Sequence, residues 1–230
     1  MSEPEKLSVE VSATDSVTAF LYPADKKNKA GITIVLGHGA GSNQLTPFMR
    51  LFAAGLAERG LDALTFNFVY MENGRGAPDP KAKLESCYKA VIDVAARHKK
   101  LKANRLLIGG KSMGGRIASQ VAAEGDDRIG GLVFLGYPLH PPGQPQKLRT
   151  DHWPKIKAPM LFVQGTRDAF GSPAEIQPIL KKLRLHAEMY IVETGDHSLK
   201  VQKSAGVPQD VVYERAMDRI VEWSKMSDTL

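Results

Sequence analysis

Short apolar runs alternate along the chain with segments of helical period. LSVEV (7–11) and VTAFLY (17–22) read as an early antiparallel strand pair. GITIVLG (31–37) is a β-branched run ending in glycine, as expected of a strand buried on both faces. Phe48, Leu51, Phe52 and Leu56 then recur at i, i+3, i+4 and i+8, which predicts a helix opened by Pro47 and closed by Gly60. LDALTFNF (61–68) predicts a strand, and 81–99 a helix with Leu84, Tyr88, Val91 and Ala95 on one stripe. RLLIG (105–109), GLVFLGY (131–137), PMLFVQG (159–165) and AEMYIVE (187–193) predict further strands. Helices are expected over 116–124 and 174–183, and over 208–225 with Val212, Ala216, Ile220 and Trp223 turned inward. Strands alternating with helices imply an α/β fold, a mostly parallel sheet with helices on both faces. The proline-rich stretch 138–158 is the one segment placed to act as a cap, and it is too short for a large lid domain.

Composition narrows this picture. The 230 residues suit a single α/β domain spanning 1–230, and 43% hydrophobic with 24% charged residues is ordinary for a soluble globule. No apolar run approaches the roughly 20 residues that span a membrane, and the N-terminus MSEPEKLSVEVSATDS has no apolar signal core. A cytoplasmic protein is expected. The one cysteine, Cys87, sits at helical spacing with Leu84, Tyr88 and Val91, so core packing is its expected role. The net charge of +6 rests on short lysine runs without interleaved aromatics, which reads as a solvated face rather than a nucleic-acid surface.

GGKSMGGR (109–116) carries the candidate chemistry. GKS ends a phosphate-binding P-loop, but that motif needs a glycine at position 105, and Arg105 stands there. The same residues spell G-x-S-x-G between a strand and a helix, the setting of a nucleophile elbow. A serine hydroxyl needs a base and an acid to orient that base, and in open α/β sheets reacting groups gather just beyond the carboxyl ends of strands. Asp168 follows one strand in QGTRD and His197 follows another in TGDHS. Ser112, Asp168 and His197 thus occur in the order Ser, Asp, His. Among six histidines His197 is best placed as base, and Asp168 is preferred to Asp196, which adjoins the histidine in sequence. An acyl-transfer oxyanion needs two backbone donors. They are expected from the N–H of Met113, which follows the serine, and of Ala40, in the small-residue loop GHGAGS (37–42). That loop is not a dinucleotide fingerprint, since Ser42 replaces the last glycine and no acid closes the strand ending at Phe68.

LGHGAGS, GGKSMGG, QGTRDAFG and GDHSL together resemble the α/β-hydrolase superfamily over nearly the whole chain. FNFVYMENGRGAPDP is similar to a small, cap-poor branch related to dienelactone hydrolases, which includes testis-expressed hydrolase-like proteins and a subunit of a nuclear acetyltransferase complex. The resemblance implies an eight-stranded, mostly parallel sheet and Ser-His-Asp chemistry with Ser112 as nucleophile, Asp168 as acid and His197 as base. The nucleophile departs from dienelactone hydrolase, where it is cysteine. The expected activity is that of a serine hydrolase, a carboxylesterase acting on small ester or thioester substrates without metal or organic cofactor. A catalytically idle scaffold and an acyltransferase are the alternatives. Tyr70, Arg75 and Phe170 are candidate substrate contacts, Arg75 either gripping an anionic group or pairing with Glu72 or Asp79. Met113 and Phe170 either line an apolar acyl pocket or pack in the core.

Overall fold

A central sheet organises the protein, seen here in a computed structural model that describes residues 3–226. The first two residues of the polar N-terminus, and the last four of the expected 1–230 domain, lie outside the described residues. The strands are β1 (Glu5–Glu10), β2 (Ser16–Tyr22), β3 (Ile32–Gly37), β4 (Asp62–Phe66), β5 (Arg105–Lys111), β6 (Ile129–Leu135), β7 (Met160–Gly165) and β8 (Ala187–Val192). The helices are α1 (Pro47–Glu58), α2 (Val69–Glu72), α3 (Lys81–Arg97), α4 (Met113–Ala122), α5 (Pro173–Leu183) and α6 (Gln209–Met226). The eight strands run in the order β1-β2-β4-β3-β5-β6-β7-β8. β1 pairs antiparallel with β2, and β2 with β4, while every other pairing is parallel.

The near-continuous apolar runs of the central strands follow from burial on both faces. Along β3, Val35 joins the core on one face while Ile34 and Leu36 join the other. β6 divides likewise, with Leu132 and Phe134 on the first face and Val133 and Leu135 on the second. Each strand therefore needs apolar residues at both parities of its period-2 repeat. The first face is covered by α3, α4 and α5 through residues such as Tyr88, Ile117 and Ile176. The second is covered by α1 and α6 through Phe52, Met217 and Trp223. The predicted inward stripe of α6 is buried at all four positions. Leu51 departs from the predicted stripe of α1 and is 39% exposed, because it turns toward a surface cleft rather than the sheet.

Two local features position the site. Tyr88, buried on α3, places its hydroxyl against the last turn of β5, accepting from Gly109 N–H at 2.9 Å and donating to Val35 O at 2.8 Å. This ties β3 and β5 together just below the point where β5 ends. The stretch 138–158 is fastened as a wall. Trp153 Nε1 donates to the Tyr137 hydroxyl at 3.0 Å, and that hydroxyl donates to Arg149 O at 2.9 Å. Trp153 and Tyr137 are both fully buried. The described residues contain no large lid and no helix long and apolar enough to cross a membrane.

Candidate active site

The end of β5 turns directly into α4 at Ser112. The serine takes φ 52° and ψ −115°, a backbone state costing of order 1–3 kcal/mol for a residue with a side chain. The strain persists because the turn is over-determined on both sides. Ser112 N–H bonds to Leu135 O at 3.2 Å, and Arg116 N–H bonds to Ser112 O at 3.0 Å. A Cβ on Gly110 or on Gly114 would overlap the Gly37 carbonyl oxygen. The two glycines of G-x-S-x-G are thus required by close approach of β3, and the turn presents Ser112 Oγ outward. The helix predicted to begin at Arg116 begins at Met113, immediately after the strained residue.

From Ser112 a hydrogen-bonded chain runs inward. Ser112 Oγ lies 2.7 Å from His197 Nε2. His197 Nδ1 lies 2.9 Å and 2.8 Å from the two carboxylate oxygens of Asp168. Asp168 is 4% exposed, and its remaining acceptor capacity is filled by Phe170 N–H at 2.8 Å and by Gln164 Nε2 at 2.8 Å. A buried carboxylate held by two such donors stays in one orientation, aimed at the imidazole. Asp196 has another task. Its Oδ1 accepts from Ser198 N–H at 2.7 Å and Lys200 N–H at 2.9 Å, which shapes the turn that carries His197. The Phe170 ring stacks on the His197 ring with centroids 4.1 Å apart.

The loop after β3 lies alongside. A Cβ on Gly39 would sit 3.7 Å from Ser112 Cβ, so the loop backbone passes beside the serine. His38 anchors it. His38 is fully buried, its Nε2 accepts from Phe68 N–H at 3.1 Å, and its Nδ1–H donates to Gly39 O at 2.8 Å. Burial pushes the imidazole down to about 4, so it is neutral at pH 7, as this donor–acceptor pattern requires. Among the described residues neither Ala40 N–H nor Met113 N–H donates to another protein group.

The model for the family described as "Alpha/beta hydrolase domain" matches residues 30–225. The chain belongs to this family. Among curated proteins it is similar to the quorum-quenching protein AidA of Acinetobacter baumannii, 32% identical over 135 residues that cover 55% of this chain and 42% of that protein. The chain therefore spans less than half of this relative. Among solved structures it resembles a serine hydrolase without a lid from Xanthomonas campestris. That structure has a TM-score of 0.71 at 15% identity, covering 99% of this chain and 94% of that one. It also resembles dienelactone hydrolase from Anabaena variabilis, with a TM-score of 0.69 at 21% identity, covering 94% of this chain and 97% of that one. At these identities the structures report a shared fold.

In this α/β hydrolase an open cleft of about 700 Å³ leads to Ser112. Ala40, Phe48, Leu51, Phe170 and Tyr213 contribute to its walls, and Lys111 and Lys200 contribute cations. One sequence expectation is corrected, and two open readings are decided. Tyr70, a candidate substrate contact, is fully buried, with its ring edge-on to His38 at 5.9 Å, because the segment after β4 coils into α2 and turns it inward. Arg75 pairs with Asp79 at 2.7 Å and is absent from the cleft walls, so of the two readings the ion pair is the one present. The Met113 side chain is core, 5% exposed, rather than a cleft wall. Two residues escaped the sequence reading. Gln164, the penultimate residue of β7, holds Asp168. Lys111, the variable residue before the serine, donates from Nζ to the His197 carbonyl oxygen. Burial pulls the Lys111 ammonium down to about 8, against the raising influence of Asp168 and Asp196.

Proposed function

We propose that this α/β hydrolase is a serine carboxylesterase acting on small ester or thioester substrates, with Ser112 as nucleophile, His197 as base and Asp168 as the orienting acid. The observation that carries the reading is the unbroken hydrogen-bonded path from Ser112 Oγ through His197 to a buried Asp168, beginning on a strained turn. With its Nδ1 proton directed at Asp168, the neutral imidazole has Nε2 free to take the Ser112 proton. Ser112 Oγ attacks the substrate carbonyl carbon, and the carbonyl oxygen takes the negative charge. Ala40 N–H and Met113 N–H are the proposed donors to that oxyanion, an interaction worth roughly 3 kcal/mol per donor. His197 then gives its proton to the leaving alcohol or thiol. Water, deprotonated by His197, attacks the acyl-enzyme and releases the acid and the free serine.

The open cleft, apolar along Phe48, Leu51 and Tyr213 and without a covering segment, suits short or extended acyl groups rather than long lipid chains. The proposed partner is such a small molecule. The lone cysteine fits a reducing, cytoplasmic setting.

Turnover of p-nitrophenyl acetate and butyrate by wild type and Ser112→Ala tests this reading. Hydrolysis by wild type, reduced at least about 10³-fold in the variant, is expected. Equal rates for the two proteins, or no turnover of any short ester or thioester by folded wild type, would overturn it.

A further inference from the structure

A second cavity, of about 490 Å³, lies between the outer face of α4 and the fastened stretch 138–158. No residue lining it lines the cleft at Ser112. Its walls carry the cations Lys81, Arg116, Arg149 and Lys155 and the carboxylates Glu124 and Asp151. Glu124 is engaged by Lys89, and Lys81 pairs with Glu85 at 2.8 Å. Arg116 and Arg149 are half-buried, and neither guanidinium meets a carboxylate among the described residues. Among the described residues the Arg149 side chain has only Pro138 O at 3.4 Å as a partner.

Like charges do not gather in a half-buried pocket without cost. Burial and then the Arg116 charge hold the Arg149 guanidinium below its usual range. Burial, then Arg116 and Lys81, push the His152 imidazole on the same wall down to about 4. The arrangement is nevertheless fixed in place. Arg149 is held by its backbone, N–H to Leu139 O at 2.8 Å and O to the Tyr137 hydroxyl. His152 Nε2 lies 2.7 Å from Ser119 Oγ, and that hydroxyl donates to Arg116 O at 2.7 Å. The Gln120 carboxamide completes the wall, its buried oxygen having no donor among the described residues.

We propose that this cavity is a binding site for a phosphate group, free or carried on a small organic phosphomonoester, with Arg116 and Arg149 as its principal ligands. Planar guanidinium groups match phosphate oxygens two at a time, and an anion between Arg116 and Arg149 offsets the repulsion between them. The tied backbone means that little ordering is needed on binding. The stretch 138–158 is then one wall of an anion site, which accounts for its fixed geometry without any role as a lid.

The test is thermal unfolding and calorimetric titration of the full chain with inorganic phosphate and with glycerol 3-phosphate, at constant ionic strength set by chloride. Wild type should bind at least one of them with a stoichiometry of one, and Arg116→Gln and Arg149→Gln should each weaken binding at least tenfold. In phosphate-free buffer both variants should unfold no earlier than wild type, because each removes a repulsion, and both should keep wild-type fluorophosphonate labelling. Tighter binding of glycerol 3-phosphate identifies a phosphomonoester ligand, and equal binding identifies phosphate itself. Should Arg149→Gln fail to fold, Arg116→Gln alone decides the matter. Stabilisation by phosphate no greater than by chloride, or binding undiminished in Arg116→Gln, would overturn the proposal.

Discussion

Lys111 Nζ donates to the carbonyl oxygen of His197, so the residue before the proposed nucleophile holds the backbone of the proposed base. The link joins the end of β5 to the turn after β8 across two intervening strands. It explains how a histidine on an irregular segment keeps its Nε2 at 2.7 Å from Ser112 Oγ.

Replacing Lys111 should therefore loosen His197 without removing any reacting group. Lys111→Met should slow fluorophosphonate labelling roughly tenfold, the order expected of a small misplacement of a catalytic group. Its pH dependence is a second signature. The native ammonium loses its proton near 8 and the unfolded one near 10.5, so the buried charge penalises folding below pH 8 and ceases to do so by pH 10.5. Stability of wild type relative to Lys111→Met should rise by roughly 2 kcal/mol across that window. Denaturant unfolding at pH 7.5, 9 and 10.5 measures it.

His38 gives a slope of the same sign in a lower pH window. Its imidazole is held neutral down to about 4, whereas the unfolded residue takes a proton at about 6.5. The stability it confers is present above pH 6.5 and is lost as pH falls toward 4. Wild type should lose roughly 2 kcal/mol relative to His38→Gln over that range. Because Nδ1–H holds Gly39 O, His38→Gln should also lower kcat on short esters through the loop that carries Ala40. Unfolding at stepped pH and steady-state kinetics test the two halves separately.

The acid can be assigned by paired variants. Asp168→Asn should cut kcat about 10³- to 10⁴-fold with little change in KM, since the amide favours the wrong imidazole tautomer. Asp196→Asn, which disturbs only turn hydrogen bonds, should change kcat by less than about tenfold. Comparable losses in the two variants would count against Asp168.

The parts of the molecule readable from sequence are those set by local pattern. The central strands, buried on both faces, are apolar at both parities, and the edge strands show as short β-branched or aromatic runs, so all eight are legible with ends shifted by at most a few residues. Ser112, Asp168 and His197 were found because each closes or follows a strand, and a parallel sheet brings such ends together. Adjacency to His197 in sequence sets Asp196 aside, and three dimensions show why: Asp168 meets the imidazole and Asp196 caps its own turn. The four residues of α2 are too few to show a helical period, so nothing in the sequence turns Tyr70, a candidate substrate contact, into the core where it lies. Arg75 carried two readings because its partner Asp79 is itself only four residues away in an irregular segment. His38 and Lys111 act through partners 30 and 86 residues distant, and no spacing rule reaches that far.

The central claim is that Ser112 is an armed nucleophile, and intact-mass analysis after exposure to a fluorophosphonate tests it most directly. A single adduct on wild type that is absent from folded Ser112→Ala is the predicted result. An unmodified wild-type mass, or an adduct that survives in Ser112→Ala, would contradict it.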